Sequence, residues 1–216
     1  DGGVAVGRYS LRANTTGINN TAIGFNVLTA NNGNNNTAVG NEALTANTTG
    51  ASNVVVGSNA LDANTTGDLN VAIGLQALTV ATTADENTAV GAAAGRYIGS
   101  GTQNTAVGRS ALHSSVSGST GQMTGNANVA VGYDSLYDLT TGASNTALGT
   151  RSLANATTGS NNTAVGRSAL TNITTASGIT AVGYEALTDL TTGTGGVAVG
   201  YRALTANTTG NNNVAV

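Results

Sequence analysis

A short motif that ends in glycine, Thr/Val-Ala-Val/Ile-Gly or a close variant, recurs along the entire chain of 216 residues. Nine of the eleven intervals between successive motif glycines have the same length, seventeen residues, as from Gly40 to Gly57; one is a residue shorter and one is seven residues longer. A fixed period of this length indicates stacked repeats, because one unit is too small to bury an apolar face without its neighbours. The motif glycines are Gly7, Gly24, Gly40, Gly57, Gly74, Gly91, Gly108, Gly132, Gly149, Gly166, Gly183 and Gly200.

The consensus coil reads N-T-A-V-G-x-x-A-L-T-x-N-T-T-G-x-x, and we number its positions 1 to 17 from the first asparagine. Position 4 is always aliphatic, position 2 is always Val or Thr, and position 3 is alanine in twelve of thirteen copies. Alternating β-branched residues are typical of a strand, whose side chains point to its two faces in turn. The pattern predicts an all-β parallel β-solenoid, with 17-residue coils and two short strands per coil, the second over positions 8 and 9.

We expect a single solenoid domain over residues 1–216, with about 12 to 13 stacked coils. The long interval adds seven residues and predicts a loop insertion at 113–127. Because position 1 is asparagine in ten of thirteen copies, stacking also predicts a ladder of amide side chains.

Positions 4 and 9 are the predicted core, and the alanine column at position 3 is the predicted face for another subunit, since it is never polar. In the opposite arrangement the alanines point inward, and the aliphatic residues form an outer apolar stripe that also needs cover. The predicted core residues are Val39, Val56, Ile73, Val90, Val107, Val131, Val165, Val182, Val199, Leu44, Leu61, Leu78, Leu170, Leu187 and Leu204. The candidate oligomer face is Ala38, Ala72, Ala89, Ala106, Ala164, Ala181 and Ala198.

Composition restricts the classes of function. Only 8% of the residues are charged, whereas Thr, Asn and Gly number 36, 28 and 31. The absence of cysteine excludes disulfides and thiolate metal sites, and the absence of lysine excludes a P-loop. A net charge of −3 argues against a nucleic-acid partner. No apolar run approaches the roughly 18 residues of a membrane-spanning helix, so we expect no membrane insertion by this segment.

The sequence resembles the head repeats of YadA-like trimeric autotransporter adhesins, and also the related arrays in phage and bacterial tail-fibre-domain proteins. The matching segments include Asn36–Gly40 with Ala43-Leu44, and Asn162–Gly166 with Ala169-Leu170. The resemblance implies a left-handed β-roll, assembled side by side as a homotrimer in an extracellular fibre on a cell or virion surface. The adhesin coil is shorter than the coil of this chain, and the sequence shows no coiled-coil heptads and no membrane anchor, so we expect the attachment and assembly parts to be absent, processed or supplied by another chain.

The expected function is therefore a non-enzymatic structural and adhesive fibre segment, without cofactor or metal. The single histidine, His113, has no acid near it in sequence, and Asp85-Glu86 is the only adjacent acidic pair. A host-surface glycan or protein is a further candidate partner, because bulky aromatic and Arg side chains are frequent in contact surfaces. The candidate binding surface is Phe25, Tyr133, Tyr184, Tyr201, Arg109, Arg167 and His113.

Two alternatives remain open. Threonine pairs at positions 13 and 14, such as Thr48-Thr49, would form hydroxyl arrays like those of ice-binding solenoids. The second alternative is a self-assembling extracellular filament, in which subunits stack end to end. Since the first and last coils are as regular as the others, we expect axial contacts with more protein at both ends. The N-T-T consensus also creates glycosylation sequons, among them Asn14, Asn47, Asn64, Asn155, Asn172 and Asn207.

Overall fold

The computed structural model describes residues 2–114 and 122–216. These residues form one parallel sheet of 13 strands, in which each strand pairs with the strands of the preceding and following coils. The repeat stays in register across the irregular intervals, since Gly24 pairs with Gly40 and Val107 with Val131. The strands are β1 (Val4–Val6), β2 (Thr21–Phe25), β3 (Thr37–Asn41), β4 (Val54–Val56), β5 (Val71–Ile73), β6 (Thr88–Val90), β7 (Thr105–Val107), β8 (Val129–Val131), β9 (Thr146–Leu148), β10 (Thr163–Val165), β11 (Thr180–Val182), β12 (Val197–Val199) and β13 (Val214–Ala215). The predicted parallel solenoid and the length of its regular coil are confirmed, as in the pairing of Val54 with Val71.

The rest of each described coil is built from turns, and positions 8 and 9 do not form a second strand there. The eleven leucines at position 9 have φ between 48° and 53°, in the left-handed region. Positions 7 and 17 share this conformation. β-Branched residues avoid it, because the branched Cβ crowds the backbone. The sequence accordingly has no Val, Ile or Thr at positions 7, 9 or 17, although such residues dominate position 4.

The alanine column at position 3 is the inner face of the sheet, which corrects two predictions. The alanines proposed as an oligomer face are at most 1% exposed and cannot meet another subunit; they are Ala38, Ala72, Ala89, Ala106, Ala164, Ala181 and Ala198. The aliphatic residues proposed as core point outward and are partly exposed, to at most 39%; they are Val39, Val56, Ile73, Val90, Val107, Val131, Val165, Val182 and Val199. The inner face is not limited to alanine, since Val55, which occupies position 3 in β4, is also fully buried.

The core is completed by the turn segments. Leu44, Leu61, Leu78, Leu170 and Leu187 are fully buried, whereas Leu204 is half-buried. Small residues at position 8 and apolar or asparagine residues at position 12 are buried beside them. In the insertion, Met123 is also fully buried and pairs with Ile98 of the coil below. Residues 115–121 of the predicted loop lie outside the described residues.

Buried asparagines at position 1 stack into a ladder of nine consecutive rungs. In each rung after the first, the backbone N–H donates to the Oδ1 of the asparagine one coil earlier, at 2.9 Å from Asn104 to Asn87 for example. The Nδ2 of Asn87 also crosses its own coil to the carbonyl oxygen of Gly101 at 2.9 Å. The ladder therefore ties coils to each other and closes each coil. The rungs are Asn20, Asn36, Asn53, Asn70, Asn87, Asn104, Asn128, Asn145 and Asn162.

Position 5 requires glycine for two reasons: its φ is positive, and the backbone of the next coil lies very close to it. Gly74 has a φ of 133°. A Cβ built there would lie 2.5 Å from the carbonyl oxygen of Gly91 in the next coil. Any side chain at this position would push the coils apart.

Candidate interaction surfaces

The outward sheet face, which we define as the side chains at positions 2 and 4 of every coil, is an exposed, largely apolar surface that runs along the described coils. It carries only Val, Ile, Leu and Thr, with no charge in any of its copies. Val54 and Val56 on this face are 41% and 39% exposed. Monomeric proteins rarely leave a contiguous apolar strip of this extent in water.

A second surface follows the outward sheet face at position 6, where the chain leaves each strand. Tyr184 and Tyr201 in successive coils stack with ring centroids 5.3 Å apart and an interplanar angle of 8°. The guanidinium of Arg167, one coil earlier, lies 5.5 Å from the Tyr184 ring centroid, and its Nη1 donates to the Tyr184 hydroxyl at 3.0 Å. Coil stacking thus converts the spacing of the repeat into a column of planar groups.

The other position-6 candidates are distributed along the same edge. Arg109 lies 5.7 Å from the ring centroid of Tyr133, which is 45% exposed. Phe25 tilts against Tyr9 near the other end of the solenoid. The candidate binding residues of position 6 therefore share one edge, but they form separate clusters.

His113 lies at position 10 of its coil, away from the edge that the position-6 residues share. Its imidazole lies edge-on to Tyr97, with centroids 5.1 Å apart, and stacks flat on Tyr137 at 4.9 Å and 3°. Burial lowers the pKa of His113, and the positive charge of Arg96 lowers it further, although Asp134 and Asp138 oppose this shift. Burial, followed by the nearby carboxylates, raises the pKa of Tyr137.

Among the residues that the structure describes, no Ser-His-Asp arrangement is assembled at His113. Within the described ranges, Nδ1 of His113 and Oγ of Ser114 are buried and have no hydrogen-bond partner. A catalytic triad requires the imidazole to be held by an acid and to contact a hydroxyl nucleophile. The imidazole here contacts two tyrosine rings instead.

The stack of rings at position 10 stops abruptly after Tyr137, because the next coil has Ala154 at that position. A cavity of about 400 Å³ lies at this step. We call it the Tyr137 notch, and its lining residues are Asp134, Tyr137, Asp138, Arg151, Ala154 and Asn155. The repeat pattern does not predict this cavity; the one sequence signal for it is a large residue followed by a small one at position 10 of successive coils.

The remaining polar motifs have structural roles. Asp85 accepts the backbone N–H of Asp68 at 2.8 Å, and Glu86 accepts Nε2 of Gln103 at 2.9 Å, so both carboxylates of the acidic pair bond to neighbouring coils. No group of three or more potential metal ligands occurs in the described ranges. The sequon residues Asn47 and Asn64 are fully buried, which leaves no room for a glycan on either.

Comparison with known proteins found no family model, no curated protein and no solved structure that matches the chain. A helix long and apolar enough to cross a membrane is also not found among the described residues.

Proposed function

We propose that this chain is a non-enzymatic rod or head segment of an extracellular attachment fibre, and that copies associate side by side through the outward sheet face. The observation that carries the proposal is the uncharged outward sheet face, which has a partly exposed or exposed aliphatic side chain at position 4 of every coil and Val or Thr at position 2. Burying such a strip removes apolar surface from water, which is the main driving force for association.

The outward sheet face and the adjoining position-6 column are together large enough for a stable contact. Thirteen strands spaced about 4.8 Å apart give a length of about 60 Å, and positions 2 to 6, which include both surfaces, span about 13 Å. The product is about 800 Å², comparable to the area that each partner contributes to a standard protein interface. The resemblance to the adhesin head repeats favours a left-handed roll and a trimer as the form of this association.

The experiment places charge on the strip without touching the core. Val90→Lys and Val107→Lys together put two cations on the outward sheet face, in adjacent strands. The matched control, Thr49→Lys with Thr66→Lys, puts the same charge on exposed turn residues. We expect the first variant to become monomeric by light scattering, with its circular dichroism unchanged, and the control to keep the parent's mass. An identical oligomer in both variants, or a monomeric parent, would contradict the proposal.

One observation also favours ice binding as a second candidate function. The outward sheet face presents threonine hydroxyls at position 2 in several coils, at the regular spacing of adjacent strands. By contrast, the position-13 hydroxyls, such as that of Thr65, donate to carbonyl oxygens of the next coil. Thermal hysteresis of the parent that is lost in Thr88→Lys with Thr105→Lys would support ice binding. A parent without thermal hysteresis would exclude it.

A further inference from the structure

The Tyr137 notch has the form of a missing rung in a column of rings. His113 and Tyr137 are nearly parallel, with centroids 4.9 Å apart, which is close to the spacing of neighbouring coils. All lining residues of the notch come from the coil of Tyr137 and the following coil, and none from that of His113. The notch therefore lies over the Tyr137 ring face that His113 does not cover. Ala154 supplies only a methyl group where a third ring would continue the stack.

Polar side chains flank this ring face on two sides. Asp134 and Arg151 occupy position 7 in the two successive coils, and Asp138 and Asn155 occupy position 11. In residues 2–114 and 122–216, neither the Asp134 carboxylate nor the Arg151 guanidinium makes a hydrogen bond or an ion pair. Asn155 donates its Nδ2 to Asn172 at 3.1 Å, which orients its Oδ1 as an acceptor.

We propose that the Tyr137 notch binds a neutral saccharide, whose pyranose ring takes the place of the missing rung and stacks on Tyr137. The C–H-rich face of a sugar ring packs on an aromatic face, and its edge presents hydroxyls on both sides. Carboxylate and amide oxygens accept those hydroxyls, while the Arg151 guanidinium donates to a ring or hydroxyl oxygen. The volume of about 400 Å³ is within the range of small-molecule pockets.

The charge of the notch selects among sugars. Two carboxylates and one guanidinium leave a formal charge of −1, which disfavours uronic and sialic acids. This inference gives the attachment fibre a ligand class, and so it rests on the adhesive part of the proposed function. It does not depend on lateral association, since the notch lies at positions 7, 10 and 11 rather than on the outward sheet face.

Saturation-transfer NMR on the full chain tests the site. The probes are the methyl glycosides of glucose, galactose, mannose and N-acetylglucosamine, with N-acetylneuraminic acid as the anionic comparison. We expect at least one neutral glycoside to receive saturation, and N-acetylneuraminic acid to receive none. Ala154→Tyr would fill the notch with a third ring and should weaken binding at least tenfold without loss of fold. Tyr137→Ala should have the same effect on binding by removing the platform.

The control is Arg202→Gln, which makes the same charge change as Arg151→Gln at position 7 but three coils away. We expect Arg151→Gln to weaken binding and Arg202→Gln to leave it unchanged. The site is refuted by saturation of no neutral glycoside, by binding of the anionic sugar alone, or by binding that survives Ala154→Tyr. Light-scattering mass, measured on the same samples, tests the proposed fibre separately, so failure of one proposal is distinguishable from failure of the other.

Discussion

Ala106 and Val107 are neighbours in β7, yet their side chains lie on opposite sides of the sheet. Ala106 is 1% exposed and faces the core, whereas Val107 lies on the outward sheet face and is only partly buried. The larger apolar residue is thus the more exposed one, since position 3 faces the interior of the coil and position 4 faces outward. Within the strand, residue size and hydropathy therefore do not indicate which residue is buried.

This difference predicts a contrast between two neighbouring substitutions. Ala106→Asp would bury an uncompensated carboxylate beside packed leucines, and should cost several kcal/mol of unfolding free energy or prevent folding. Val107→Asp leaves the carboxylate in contact with water and should cost less than about 1 kcal/mol in a monomer. Thermal unfolding followed by circular dichroism measures both. Equal melting temperatures for the two variants would show that the two faces are not different in burial.

The left-handed leucines give a second prediction at the scale of the residue. Leu61→Ile conserves volume but places a branched Cβ at a φ of 48°, and should cost about 1–3 kcal/mol. The matched control is Ile73→Leu, the reverse change at an extended position on the outward sheet face. It should alter the unfolding free energy by less than about 0.5 kcal/mol. Denaturant unfolding of both variants provides the comparison, and a Leu61→Ile protein as stable as the parent would contradict the backbone argument.

Each coil consists of one strand and a set of turns, and asparagine side chains connect the coils along the stack. At the rung of Asn87, Oδ1 accepts the backbone N–H of Asn104 at 2.9 Å, and Nδ2 donates to the carbonyl oxygen of Gly101 at 2.9 Å. Both partners belong to buried residues. The ladder thus satisfies backbone groups that strand pairing does not reach, and this explains why position 1 is so restricted.

Removing one rung should therefore lower the unfolding free energy. Asn87→Ala leaves the Asn104 N–H and the Gly101 carbonyl without partners in the interior, and should lower the unfolding free energy by about 2–4 kcal/mol. The matched control is Asn41→Ala at position 6, where the asparagine is exposed. We expect a change of less than about 0.5 kcal/mol there. Denaturant unfolding distinguishes the two, and a small effect of Asn87→Ala would mean that water replaces the lost amide.

At the scale of the whole molecule, the strand order determines the shape. Because the 13 strands follow chain order in one parallel sheet, the coils stack along a single axis. Their spacing gives a length of about 60 Å, and the apolar outward sheet face runs along that axis. Lateral association would use this face, and axial stacking would use the strand edges at the two ends.

The two modes of assembly predict different dimensions in solution. Side-by-side association increases the mass while the particle length stays near about 60 Å, whereas end-to-end stacking multiplies the length. Small-angle scattering combined with light scattering measures both quantities, and we expect added mass without added length. Particles whose length is a multiple of the rod would favour the end-to-end filament instead.

The regular period and the Val/Thr-Ala-Val/Ile alternation determined the parallel solenoid, its register and the asparagine ladder, since in-register stacking places each residue on its own copy. The absence of β-branched residues at positions 7, 9 and 17 was a further readable signal, because left-handed backbone excludes them. That signal would have replaced the predicted second strand with turns.

Only the tertiary structure decided which side of the strand is inside. Alternation has a period of two and assigns residues to faces, but when both faces are apolar it does not say which face is the core. That choice depends on the space left by Leu112 and by the asparagine rungs across the coil, which only packing determines. The Tyr137 notch has the same origin: Tyr137 and Ala154 occupy the same position of successive coils, and their contrast becomes a cavity only when those coils stack.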